Sequence, residues 1–138
     1  MSGKILESYD ELLANGLQQA TERMNKPIHE TKDSLLVRVG EMCTKGSTAL
    51  GPAVLTSVAM ASKGAPGSQV IILTDGMANI GVGTFTGGRE HLATEFYEKV
   101  GRFAEDHGVL VNLVTIAGTD ANIQDLSRLV ELSGGQIE

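Results

Sequence analysis

The stretch SQVIILTDGMANIG, residues 68–81, decides the fold of this chain. Val70 to Leu73 form an uninterrupted apolar run, which is typical of a strand buried on both faces of a parallel sheet. Asp75 follows at the carboxyl end of that strand, where open α/β sheets place their ligands. Earlier in the chain, GSTALGPAV (46–54) supplies a second loop that carries hydroxyl groups and opens a helix. The two loops together predict a functional site.

Outward from this strand, the apolar residues follow helical and strand periods in alternation. Helical spacing predicts five helices, over residues 9–24, 31–43, 51–61, 89–107 and 121–133. A second buried strand is predicted over 109–116, with two short candidate strands at 4–6 and 136–138. This order predicts an α/β protein with a parallel crossover. Sheets usually have about five or six strands, so the sheet is predicted to be incomplete.

Composition narrows the class of protein. The 138 residues are 41% apolar and carry a net charge of −6, which suits one globular domain. No cluster of Lys or Arg is visible, which argues against nucleic acid as a partner. Cys43 is the single cysteine, so we expect a reducing, cytoplasmic compartment and an inert thiol buried on an apolar helix face. No apolar run is long enough for a membrane span, and residues 1–4 lack a signal pattern.

With GSTALGPAV and VIILTDGMANIG, the chain resembles the von Willebrand factor A family over roughly residues 31–138. The stretches VLVNLVTIAG and DLSRLVELSGG fit the same pattern. The resemblance implies a Rossmann-like von Willebrand A fold, with a parallel sheet flanked by helices. Residues 1–138 would then be a single, partial domain of this type.

Members of that family often carry a metal-ion-dependent adhesion site. By resemblance, Asp75 and Thr48 are the expected metal ligands, with Ser47 as the alternative to Thr48. Ser47, Gly76 and Asn79 are the expected contacts to a partner. The implied cofactor is Mg²⁺ or Mn²⁺, held weakly because one carboxylate and one hydroxyl supply few of the six oxygens that magnesium prefers.

The sequence departs from the family at the first loop, since no Asp-x-Ser-x-Ser occurs in it. The strand that should precede this loop is missing as well. We therefore expect a protein partner or a second copy to supply the missing strand, with partner oxygens completing the metal site. Without that strand, residues 70–73 would have an unpaired edge that is a template for another chain.

Three functions stay open at this point. The first is a non-enzymatic protein-interaction or scaffolding module of the von Willebrand A type. The second is a small α/β enzyme that uses Asp75 at the carboxyl edge of the sheet, and the third is a self-associating domain fragment. Asp75 could instead form a tight turn, and Thr48 could simply cap a helix.

Other motifs favour simpler interpretations. The glycines of GVGTFTGGRE (81–90) precede a helix, but no Gly-Lys-Ser/Thr follows them, so a flexible connection is favoured over a phosphate loop. No Gly-x-Ser-x-Gly elbow is present for a serine hydrolase. The three histidines, His29, His91 and His107, have no metal-ligand spacing.

Overall fold

The computed structural model describes residues 5–23, 26–43, 46–74, 78–86, 88, 90–115 and 123–138. Within these residues, a 3₁₀ turn, Ile5–Glu7, leads into five helices and two strands. In chain order these are α1 (Tyr9–Arg23), α2 (Ile28–Gly40), α3 (Leu50–Ala61), β1 (Gln69–Thr74), α4 (Glu90–Asp106), β2 (Leu110–Thr115) and α5 (Ile123–Ser133). The prediction of an α/β protein is confirmed at this level.

The two strands form a parallel pair, with Val70 opposite Val111 and Ile72 opposite Leu113. A third piece of chain joins β2 on its other side, where Ile137 makes a parallel bridge to Leu113. The main-chain bonds there include Leu113 N–H to the Gln136 oxygen at 2.9 Å and Glu138 N–H to the Leu113 oxygen at 2.8 Å. Strand β2 therefore lies in the middle of the described sheet and β1 lies at its edge.

The hydrophobic core lies on one face of this sheet. Ile72, Val111 and Leu113 point into it and form one cluster with residues of four helices. The helix residues in the cluster include Leu12 of α1, Leu55 and Val58 of α3, Tyr97 and Val100 of α4, and Leu126 and Leu129 of α5. Burial of these apolar side chains is the main favourable term for folding.

The prediction that residues 70–73 are buried on both faces is wrong. Ile72 is 7% exposed, whereas its neighbours Ile71 and Leu73 are 59% and 72% exposed. Successive side chains of a strand point to opposite faces. Among the described residues, the helices cover only the face that holds Ile72.

For helices α2 and α4, the side chains predicted to be buried differ from those that the structure buries. Helix α2 was expected to bury an apolar face, but none of its residues is buried. Helix α4 is predicted to turn Leu92, Phe96, Val100 and Phe103 inward; Phe96 and Val100 are buried as predicted, whereas Leu92 is 49% exposed.

The N-terminal strand predicted over residues 4–6 is wrong, since Ile5–Glu7 form the 3₁₀ turn. The Leu6 oxygen accepts a bond from the Val82 N–H at 2.9 Å, which fixes this turn against a later loop. Cys43 is exposed rather than buried, because the helix that precedes it makes no buried contact. No helix among the described residues has the length and apolar character that a membrane crossing requires.

Candidate functional site

The loop before α3 and the segment after β1 meet at the carboxyl edge of the sheet. The Asn79 side-chain oxygen accepts a bond from the Thr48 N–H at 2.8 Å. The main-chain carbonyl oxygen of Thr48 in turn accepts bonds from the N–H groups of Asn79 and Ile80, at 3.1 and 3.3 Å. These three bonds tie the two loops together.

The structure places the predicted site residues as follows. Thr48 and Asn79 are in contact through the bonds above, and Ser47 beside them is exposed. Asp75 and Gly76 lie outside the described residues, so the metal and partner roles given to this group stay predictions. The alternative that Thr48 caps the next helix is wrong, because Ala49 is the N-cap residue of α3 and no side chain caps that helix.

The loop of glycines after Asn79 is held firmly where the structure describes it. The Tyr97 hydroxyl donates to the Gly83 oxygen at 3.1 Å from within the core. Thr84 donates its hydroxyl proton to the Ala78 oxygen at 3.2 Å, and the Phe85 N–H bonds to the same oxygen at 3.0 Å. The segment that the sequence favoured as a flexible connection is thus bonded to α4 and to itself.

Tyr97 is the residue at this edge that the sequence analysis missed. Burial raises the pKa of its hydroxyl far above the usual value, and the nearby Asp125 carboxylate adds to that rise. Its ring stacks on Phe85, with centroids 5.6 Å apart, and meets Phe96 edge to face at 5.1 Å. The signal available in the sequence was the scarcity of aromatic residues, since a chain with few of them tends to place each one in the core.

Two glycines allow close approach of main chain at this edge. A Cβ atom on Gly51 would lie 2.0 Å from the Val82 oxygen, so the first turn of α3 can pack there only without a side chain. Gly83 has a φ of +71°, and a Cβ there would lie 2.6 Å from the ring of Phe96. Both glycines are needed to pack the loop between α3 and α4.

A second feature with binding capacity is the outer edge of β1. The Leu110 N–H bonds to the Ser68 oxygen at 2.9 Å, which sets the alternation of the parallel ladder. With the observed register, Val70 and Ile72 direct their main-chain groups to β2, whereas Ile71 and Leu73 direct theirs away from it. No described strand lies on that outer side.

The open face of the sheet forms a shallow groove of about 410 Å³. It lies over the exposed side chains of β1 and β2 and reaches the last residues of the chain. Its lining residues are Gln69, Ile71, Leu110, Asn112, Leu113, Val114, Gly134, Gln136 and Glu138. Amide side chains at its rim bond to one another and to main chain, as in the bond from the Gln136 N–H to Asn112 Oδ1 at 2.9 Å.

Comparison with known proteins relates the chain to a curated protein. No family model matches the chain. The chain is 31% identical over 137 residues to a Dictyostelium discoideum protein named "Circularly permutated Ras protein 1". That alignment covers 99% of this chain and 16% of the relative, so the chain spans about a sixth of the length of the curated protein it matches.

This match corrects the family assignment. The resemblance to the von Willebrand factor A family is wrong, because the similarity over nearly the whole chain is to a protein named for Ras. The prediction of an interaction or scaffolding module of the von Willebrand A type is therefore wrong as well. Neither alternative function, an enzyme that uses Asp75 or a self-associating fragment, gains support from the match. The family assignment from sequence was wrong because short loops that carry Thr or Asp-Gly next to apolar elements recur in many α/β sheets.

The adhesion-type interpretation of this site is corrected as well, because it rested on the von Willebrand factor A family. Within the part of the chain that the structure describes, no group of three or more His, Cys, Asp or Glu side chains could hold a metal ion. Magnesium requires several oxygen ligands in near-octahedral geometry. Thr48 and Ser47 contribute at most hydroxyl and main-chain oxygens at this edge.

Proposed function

We propose that the chain is a segment of a Ras-related protein and that it binds an extended polypeptide strand along β1 rather than a nucleotide. The link to Ras rests on the name of the Dictyostelium relative and on the 31% identity. The strand-binding role rests on one observation, which is the open outer edge of β1. The partner strand would come from a protein partner or from a second copy.

The glycine pattern of the chain supports a role without nucleotide chemistry. P-loop proteins, Ras among them, hold phosphates and Mg²⁺ with the sequence Gly-x₄-Gly-Lys-Ser/Thr. Gly46 and Gly51 have this spacing but are followed by Pro52-Ala53, and Gly83 and Gly88 are followed by Arg89-Glu90. Neither loop supplies the lysine or the hydroxyl that the phosphates and the metal need. We therefore propose that this segment is not itself an enzyme.

The edge of β1 has the chemistry that strand addition uses. Ile71 and Leu73 direct their main-chain donors and acceptors outward, and their side chains are more than half exposed. A strand that pairs there satisfies these groups by main-chain bonds, and its apolar side chains gain contacts with the open face. The two described strands would then belong to a larger Rossmann-like sheet. We also propose an intracellular location, because an exposed single thiol such as Cys43 suits a reducing compartment.

Two proline variants test the edge directly. Ile71→Pro removes an N–H that points away from β2, so it should leave the β1–β2 ladder intact and block pairing at the outer edge. Ile72→Pro removes an N–H that faces β2 and should unfold the chain, which makes it the matched control. Titration calorimetry would use the segments of the Dictyostelium protein outside the matched region as the probe. Binding by the parent chain and its loss in Ile71→Pro, with the thermal midpoint kept, is the expected result.

Sedimentation of the chain alone over a range of concentrations distinguishes a second copy from another partner. A dimer that is abolished by Ile71→Pro assigns the strand to a second copy. Equal binding by the parent and Ile71→Pro chains would refute edge pairing. Binding of a fluorescent GTP analogue by the chain alone, at micromolar concentration, would refute the role without nucleotide.

A further inference from the structure

We propose that the strand joining β1 runs parallel to it, with an acidic side chain at the amino edge of the sheet and apolar side chains at the next two alternate positions. The proposal rests on the proposed function and deepens it, because it states which strand the outer edge of β1 selects. Three features of the described chain support it: a row of amide groups, the charge of Lys63 and a row of apolar side chains.

A row of amide groups crosses the open face near the amino end of the strands. The main-chain N–H of Gln136 donates to Asn112 Oδ1 at 2.9 Å, and Asn112 Nδ2 donates to Gln69 Oε1 at 3.3 Å. Each group thus donates to the next one, from the piece at 136–138 through β2 to β1. Gln69 is exposed at the end of the row, and its Nε2 group is left as a donor for an acceptor beyond β1.

The side chain that completes this row must be an acceptor. On an added strand, the residue opposite Gln69 lies about 5 Å away and points to the same face. Ionised Asp and Glu only accept hydrogen bonds, Asn and Gln can accept through one oxygen, and Lys only donates. An acidic or amide side chain opposite Gln69 would continue the row, whereas a lysine would place two donors together.

The charge near this position favours an acid over an amide. Lys63 is the one charged side chain within residues 46–74 and 78–86. It is exposed, and it forms no ion pair with an acid of the described chain. A carboxylate that binds beside a cation on an otherwise uncharged surface gains Coulomb attraction that a neutral amide lacks.

Lys63 and Gln69 lie at the same end of β1. Lys63 follows α3 in the connection to this strand, and its N–H bonds to the Met60 oxygen at 3.2 Å. Its neighbour Gly64 packs on Ser68, since a Cβ atom on Gly64 would collide with Ser68 Oγ. Ser68 directly precedes Gln69, so the flexible lysine side chain is within reach of the start of β1.

The apolar row follows towards the carboxyl edge. Ile71 and Leu73 are 59% and 72% exposed on the open face. Side chains directly opposite them on an added strand lie close enough to pack on them, and such cross-strand pairs stabilise a sheet. Glu138, an acid that lines the groove, lies on the far side of β2. The selected strand therefore carries an acid, an apolar residue and a second apolar residue at every second position.

The direction of the strand follows from the sheet that it joins. Strand β1 pairs with β2 in parallel, and the bridge from Leu113 to Ile137 is parallel as well. Sheets with strands of one kind are over-represented among proteins. In a parallel strand the acid comes first in the sequence, because Gln69 lies at the amino end of β1. An antiparallel strand would need the acid last, so the order of residues distinguishes the two directions.

Synthetic peptides test both the acid and the direction. The first has the sequence Ser-Glu-Thr-Ile-Thr-Val-Thr with blocked ends, so that Glu, Ile and Val share one face. The second has Lys in place of Glu, and the third has the reversed sequence. Shifts of the Ile71 and Leu73 amide resonances in nuclear magnetic resonance titrations report binding at the outer edge. We expect the first peptide to bind at least tenfold more tightly than the second and at least fivefold more tightly than the third, and not to bind Ile71→Pro.

A charge reversal in the chain tests the role of Lys63. In Lys63→Glu, the preference for the Glu peptide over the Lys peptide should fall at least fivefold. Arg128→Glu is the matched control, because it changes the net charge equally on α5, which packs on α4 and β2. It should keep the preference of the parent chain. Gln69→Leu should weaken binding of the Glu peptide at least threefold, and thermal midpoints would verify that the variants fold.

The outcomes separate this inference from the proposed function. Equal binding of the Glu and Lys peptides, lost in Ile71→Pro, would overturn the acidic pattern and leave edge pairing intact. Tighter binding of the reversed peptide would overturn the parallel direction. An equal change of preference in Arg128→Glu and Lys63→Glu would overturn the role of Lys63. If no peptide shifts the amides of Ile71 and Leu73, edge pairing fails and this inference fails with it.

Discussion

The two faces of the β1–β2 sheet are made of similar residues but differ in their surroundings. Ile72 and Leu113 on one face are buried under helices, whereas Ile71 and Leu73 on the other are exposed. The strand pattern is uniformly apolar from Val70 to Leu73. The difference teaches that an apolar run predicts a strand, while the elements packed around it decide which of its side chains contribute to stability and which remain for binding.

The largest expected contrast comes from truncating one leucine on each face. Leu113→Ala should lower the free energy of unfolding by about 3 kcal/mol, because it leaves a cavity in the core. Leu73→Ala should change it by less than about 0.5 kcal/mol, because Leu73 is 72% exposed. Urea denaturation of the two variants measures both values. A large loss for Leu73→Ala would contradict the exposure of this side chain.

The second contrast compares Gly51, which is packed against Val82 at the start of α3, with Gly40 at the exposed end of α2. Gly51→Ala places a Cβ within 2.0 Å of the Val82 oxygen, so the start of α3 must move. We expect a loss of about 2–3 kcal/mol from such overpacking. Gly40→Ala meets no atom within 4 Å and should be neutral or slightly stabilising, by up to about 1 kcal/mol, since alanine favours helix. Equal changes in thermal midpoint for the two variants would contradict the close packing described at Gly51.

The third prediction concerns the pH dependence of the free energy of unfolding that the buried Tyr97 hydroxyl causes. Burial raises the pKa of its hydroxyl above the unfolded value of 10.0, so the folded state favours the neutral form. Its contribution is therefore fully present below about pH 10 and is lost as the pH rises through the folded pKa. The free energy of unfolding should fall above pH 10 in the parent chain and fall less steeply in Tyr97→Phe. Parallel pH profiles for the two proteins would contradict the assignment.

The smallest expected effect is at the carboxyl edge, between Thr48 and Asn79. Asn79→Ala removes the acceptor of the Thr48 N–H and should cost about 1 kcal/mol, the usual net value of a neutral hydrogen bond. Asn79→Asp keeps an acceptor at the same position and serves as the control. Amide exchange at Thr48 should rise in the alanine variant and change little in the aspartate variant. An unchanged exchange rate in Asn79→Ala would show that the two loops are held together by other contacts.

The contact between the two loops at the carboxyl edge could be anticipated from the sequence, whereas the bonds that hold it could not. Apolar elements on both sides of the two loops placed Thr48 and Asn79 near each other, because parallel strands and the helices between them bring such loops to one edge. The sequence could not identify the contacts that hold the edge, which depend on main chain at Gly83 and on Tyr97 from α4. Short motifs also led to the wrong family, since their residues recur in unrelated α/β proteins.

By itself, the sequence determined the alternation of helices and strands and the parallel pairing implied by a helix between two strands. It did so because local periodicity and chain breaks at glycine and proline act over a few residues. Only the tertiary structure decided that, within the described part of the chain, the helices cover one face, α2 has no buried residue and β1 has an open edge. Burial depends on contacts between residues far apart in the chain, and an apolar pattern is the same whether its partner is present or still to be bound.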